Sequence, residues 1–237
     1  MTDHISKQFD ADLEAIRSRM MQMGGLVEAH VRAAIAGYLD GDASSAERVI
    51  AGDAKVNELE LAIDNDLGQI IVRRQPAASD LRLILAASKI VTDLERIGDE
   101  AAKIARMAKD MQGAGGTPGT PSPRLVAITH ISEVAIGMLR RALDAFARLD
   151  AAAAARVAGE DAAIDEEFRA IMRQLITFMM EDPRTISSSI QLVWIAKAFE
   201  RIGDHAKNIA EYVIYIVKGR DVRHIPLAEL EREALAR

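Results

Sequence analysis

LERIGDEAAKIA at residues 94–105 and FERIGDHAKNIA at residues 199–210 share five consecutive residues, Glu-Arg-Ile-Gly-Asp, at 95–99 and 200–204. A charged phrase repeated at this distance prompts a search for a larger repeat. The similarity continues on both sides. Val49, Val56, Ile63, Leu67 and Ile70 recur at spacings of three, four or their sum, and so do Val157, Ile164, Ile171, Leu175 and Phe178. Each segment meets a proline, Pro76 or Pro183, and is followed by a second stripe. The first of these runs Leu83, Ala87, Ile90, Leu94, Ile97, Ala101, Ile104, and the second runs Leu192, Ile195, Phe199, Ile202, Ala206, Ile209, Val213. This spacing keeps one apolar face on a helix of 3.6 residues per turn.

A long helix opens each half. Its stripe is Phe9, Leu13, Ile16, Met20, Val27, Val31 in the first half and Leu125, Ile128, Ala135, Leu139, Ala142, Phe146, Leu149 in the second. Asp40-Gly41-Asp42 breaks helix one from helix two. The segment MQGAGGTPGTPSP, 111–123, has no side chains with which to build a core and reads as a linker. The expected fold is all-α, two tandem three-helix bundles. Residues 1–112 form the first bundle, 113–123 the linker, 124–219 the second bundle and 220–237 a C-terminal tail.

Composition agrees with that class. The chain of 237 residues is 49% hydrophobic and only 4% aromatic, which suits helix-on-helix packing. A net charge of −6 argues against a nucleic-acid partner. The absence of cysteine excludes disulfides and thiolate metal sites. MTDHISKQFD has no apolar signal-peptide core, and the apolar run YVIYIV is too short to span a bilayer. A cytoplasmic protein without direct membrane insertion is expected.

Measured around the helix from the apolar stripe, Glu95 and Asp99, and likewise Glu200 and Asp204, fall on roughly the far side, towards solvent or a shallow groove. Four residues apart, the acids of each pair are neighbours and repel by a few tenths of a kcal/mol unless a cation stands nearby. That cation could be Lys103 for Asp99 and Lys207 for Asp204, giving an ordinary solvated face, or it could be a metal ion. Gly98 and Gly203, inside helices where glycine costs about 1 kcal/mol, point to a close neighbouring helix. Helix two supplies matching acids, Asp53 and Asp161, followed four residues on by Asn57 and Asp165. These two acids interrupt an apolar stripe, so each is read either as a helix N-cap or as a ligand. Glu60 and Asp64 form a further pair, whose counterparts are Phe168 and Met172.

An all-oxygen donor set suits hard ions, iron or manganese and, less exclusively, zinc. The inward Glu-x-x-His pairs of di-iron bundles are absent. His205 has Glu100 as its counterpart and reads as a local surface residue. No phosphate loop, dinucleotide fingerprint or nucleophile elbow occurs. Ser187, Ser188 and Ser189 read as helix capping, Met20, Met21 and Met23 as core, and Gly24-Gly25 as a kink.

At this point a resemblance enters. QFDADLEAIRSRMMQMGGLVE (8–28), RQPAASDLRL (74–83), DLERIGD (93–99), RQLITFMMEDPRTI (173–186), FERIGD (199–204) and VKGRDVRH (217–224) resemble the PhoU family, from about Ile5 to His224. The resemblance implies paired three-helix bundles carrying Glu/Asp-x-x-x-Asp motifs that hold metal clusters on the outside of the bundles. Glu95/Asp99, Glu200/Asp204, Asp161/Asp165 and Glu60/Asp64 match that motif. Asp53/Asn57 departs from it, which implies unequal loading of the two halves. Iron is implied first, with manganese, zinc or magnesium as alternatives. The resemblance also implies a regulator and not an enzyme, one that keeps the phosphate-starvation response off and restrains phosphate uptake. Its implied partners are the ATPase of a phosphate ABC transporter and a phosphate-sensing histidine kinase, and homodimers are expected. Two rivals stand beside this reading: a carboxylate-bridged metal-cluster enzyme, hydrolase or oxidase, and an adaptor whose acids are only a solvated face.

Overall fold

A computed structural model of the chain describes residues 7–76, 78–113 and 123–236. Most of the expected linker, residues 114–122, lies outside these, as do the first six residues, and the side chain of Leu125 is not described either. Apart from short connections the described residues are helical, with no strand. The first repeat comprises α1 (Lys7–Asp40), α2 (Ala43–Arg74) and α3 (Ala78–Gly113). The second comprises α4 (Pro123–Arg148), α5 (Ala151–Gly159), α6 (Asp161–Glu181) and α7 (Ile186–Lys218), and α8 (Leu227–Leu235) follows.

Local chemistry sets the ends. Gly41 turns the chain at φ 68°, and Asp42 caps α2 by accepting from the Ser44 and Ser45 amides. Gln75, in the left-handed region ahead of Pro76, ends α2. A single 3-10 turn, Pro183–Thr185, separates α6 from α7. Gly219, at φ 74°, ends α7.

Three expectations change here. Helix two of the second repeat is two helices, α5 and α6, broken at Gly159-Glu160. The tail from residue 220 contains α8, whose Leu230 and Ala234 are buried. The triple serine does not cap α7: Thr185 holds the cap position, Ser188 Oγ donates to the Thr185 carbonyl, and Ser189 is buried. Met20 and Met23 are in the core, as expected.

The two repeats share one continuous core. They meet chiefly along α3 and α7, which run antiparallel, and also through α1 and α4. The direction follows from the cross-links, since Asp93 faces His205 and Asn208 while Glu100 faces Arg201. α7 touches α3, α4, α5 and α6, so it is buried on more than the one expected stripe.

Candidate functional site

Gly98 and Gly203 govern how closely helix two approaches. A Cβ at Gly98 would stand 3.2 Å from Val56 Cγ1 on α2, and one at Gly203 would stand 2.8 Å from Ile164 Cδ1 on α6. Val56 and Ile164 are counterparts, so both repeats use the same close approach. It brings the acids of helix two against the acids of the repeated phrase.

In the first repeat, Asp53 and Glu60 of α2 face the acids Glu95 and Asp99 of α3, while Asp64 stands beside Glu60. Burial first, and then the neighbouring Asp99 charge, push the Glu95 carboxyl above its ordinary range. Burial followed by Glu95 and Asp64 does the same to Glu60. The Arg96 guanidinium lies 3.4 Å from both Glu95 and Asp99, offsetting part of the repulsion. Asp64 accepts from Ser88 Oγ at 2.9 Å.

In the second repeat, Asp161 and Asp165 of α6 face Glu200 and Asp204 of α7. Although Asp204 keeps an exposed face, partial loss of water around its carboxyl, then the charges of Glu200 and Asp161, push it up to about 6. Lys197 pairs with Glu200, and Arg169 with Asp165 at 3.2 Å.

Several pairings depart from expectation. Lys103 pairs with Glu100, not Asp99, and Lys207 with Asp161, not Asp204. Asp53 lies within α2 and cannot cap it, while Asp161 opens α6 but spends one oxygen on Lys207. Glu200 does not face solvent. It is 8% exposed, because α7 is packed by helices on several sides. His205 is no free surface residue, for its Nδ1 stands 2.8 Å from Asp93 Oδ1 across the α3–α7 seam.

Four carboxylate oxygens are buried without a hydrogen-bond donor: Asp53 Oδ1, Glu95 Oε2, Asp161 Oδ1 and Glu200 Oε2. They stand at the same two positions of each repeat. A carboxylate oxygen taken from water without a donor is costly, and a hard cation satisfies it without needing a proton. The donor set therefore fits a metal chemically. Among the described residues, no three Asp, Glu or His side chains yet converge as the ligands of one ion do. Binding would require side-chain rotation to draw facing acids together.

Asp99 and Asp204 both open on one groove of about 480 Å³ between α3 and α7, which Arg96, Lys103, Arg201 and Lys207 also line. Sequence reasoning missed Asp93 and Asn208, which join His205 across this seam. A polar residue at a seam position of the stripe was the available signal.

The PhoU domain profile matches the chain twice, over residues 20–108 and 128–213. A Pseudomonas aeruginosa protein named phosphate-specific transport system accessory protein PhoU homolog is 48% identical over 233 residues, covering 98% of this chain and 95% of that protein. The crystal structure of PhoU from Pseudomonas aeruginosa superposes with a TM-score of 0.85 at 48% identity, covering 90% of this chain and all of that one. The phosphate transport system regulatory protein PhoU from Streptococcus pneumoniae gives 0.81 at 26% identity, covering 90% of this chain and 99% of that one. No described helix is long and apolar enough to cross a membrane.

Proposed function

The chain belongs to the PhoU family, and from that premise we propose that it is a negative regulator of phosphate uptake and of the phosphate-starvation response. It acts by protein contact, coupling the ATPase of a phosphate ABC transporter to a phosphate-sensing histidine kinase. The observation that carries this reading is 48% identity along nearly the whole chain to a protein named as an accessory of phosphate transport. The helical body supports it, since long rigid faces can distinguish the states of two partners, and signalling by differential binding needs no chemical step. A homodimer at the inner face of the membrane, held there by its partners, completes the reading.

The acids belong to the same proposal. Asp53, Glu60, Asp64, Glu95 and Asp99 would hold metal in the first repeat, and Asp161, Asp165, Glu200 and Asp204 in the second, with iron the first expectation. A bound ion would supply charge neutralisation and a cross-link between helix two and helix three of each repeat. The chain's own contribution is the close approach at Gly98 and Gly203 and the unsatisfied buried oxygens.

Two experiments test these statements. Deleting the gene and assaying secreted alkaline phosphatase in phosphate-rich medium should give high activity that the restored gene lowers; a silent reporter would overturn the regulator. Purified protein should carry metal by elemental analysis, and replacing Glu95, Asp99, Glu200 and Asp204 with Ala should strip it. Equal metal in that variant would remove the ligand assignment.

A further inference from the structure

Trp194 is the only tryptophan of the chain and is 58% exposed on α7. Ile190, one turn earlier, is 46% exposed. Beside Trp194 runs a groove of about 390 Å³ between α7 and α3, with Met107 and Ala198 at its apolar floor. Lys103 and Arg106 from α3 and Lys197 and Arg201 from α7 rim it, and Glu100 closes one end. Lys103 and Arg201 already hold Glu100, at 2.8 and 3.2 Å. Arg106 makes no ion pair among the described residues and stands exposed. Lys197 is held by Glu200, so four cations meet two carboxylates and Arg106 carries the unpaired charge, a local reversal of sign on a chain of net charge −6.

A large exposed indole is costly in water, and Trp and Arg are the side chains that most often carry interface energy. We propose that this groove docks an acidic segment of a partner protein. An apolar side chain of that segment sits on Trp194 and Met107, and its carboxylates meet Arg106, the rim cation that holds no carboxylate of this chain. Charge complementarity selects this occupant. A second copy joined about a two-fold axis through the groove would set cations against cations. A lipid surface takes up an exposed indole wherever it stands, whereas a groove between two helices suits a single chain segment, and a vesicle control separates the two. The inference deepens the reading of the chain as a protein that acts by contact, and its test reads the groove alone, apart from any phosphate reporter.

Because Trp194 is the sole tryptophan, its emission reports this site in the unmodified full chain. The probe is a blocked synthetic peptide repeating Glu-Leu-Leu-Asp. Its controls are a twin with Lys in place of each acid and vesicles of mixed phosphatidylcholine and phosphatidylserine. A saturable blue shift is expected with the acidic peptide only, weakening as salt is added. Arg106→Glu, at an exposed unpaired site, should weaken it roughly tenfold, and Arg106→Gln less. No shift, an equal shift with the lysine peptide, or an undiminished shift in Arg106→Glu would overturn the proposal. So would a shift with vesicles but not peptide, which would make the surface a lipid site, or one produced by protein concentration alone, which would make it a self-association face.

Discussion

Glu100 and His205 occupy equivalent positions in the two repeats, and each closes the antiparallel seam between α3 and α7 from its own side. Glu100 takes Arg201 from the opposite helix, while His205 meets Asp93. The counterpart of Arg201 is Arg96. With histidine at 205 it finds no carboxylate across the seam and turns to Glu95 and Asp99 on its own helix. One substitution between the copies thus makes the seam asymmetric and turns the arginine of the repeated phrase onto that phrase's own acids in the first repeat only.

Asp93 is 8% exposed and depends on His205 and Asn208. His205→Ala should cost about 1–2 kcal/mol by leaving Asp93 with Asn208 alone. His205→Glu, which restores the symmetry of the repeat, should cost more, because it sets a carboxylate against Asp93. Urea midpoints at neutral pH rank the two.

The glycines of the repeated phrase should differ in their tolerance of a methyl group. Gly98→Ala gains about 1 kcal/mol of helix propensity and asks Val56 to yield a few tenths of an ångström, so it should be near neutral. At Gly203 the new Cβ meets Ile164 at both 2.8 and 3.1 Å, so Gly203→Ala should destabilise by about 1–2 kcal/mol net. Thermal unfolding of the two variants side by side checks the order.

Glu211 is 7% exposed, and burial pushes its carboxyl up to about 7. In the unfolded chain it ionises near its ordinary value of 4.5. Between these values the folded state holds more protons, so stability falls as pH rises through the window and remains lowered above it. Glu211→Gln should therefore stabilise the protein by about 3 kcal/mol at pH 8 and by almost nothing near pH 4. Denaturant melts at the two pH values measure the difference.

Asp204 obeys the same sign, with its folded carboxyl at about 6. In metal-free protein Asp204→Asn should raise the urea midpoint at pH 8 and leave it nearly unchanged near pH 3, below its ordinary value of 3.8. If the acids hold an ion, the same variant should lower the midpoint of metal-loaded protein at pH 8. A variant more stable in both states would count against the ligand role.

Apart from the break at Gly159-Glu160 and helix α8, the helices and their ends are local matters, legible from the stripes, from Pro76 and Pro183 and from Gly41, because a 3.6-residue period and a blocked or left-handed backbone act within a few residues. The duplication was equally plain from the two copies of Glu-Arg-Ile-Gly-Asp, and the doubled interior glycine announced a close neighbour that Val56 and Ile164 proved to be. Only the tertiary structure decided which acids lose their water. Glu200 is followed by the same four residues as Glu95, but α7 is packed by α3, α4, α5, α6 and α8. Spacing along one helix placed Lys103 beside Asp99 and Lys207 beside Asp204. Long flexible ammonium chains went instead to the buried carboxylate of Glu100 and the half-buried one of Asp161, where withdrawal from water makes a positive partner worth most. The antiparallel seam that joins Asp93 to His205 and exposes Trp194 depends on how two bundles dock, a choice made between residues a hundred positions apart.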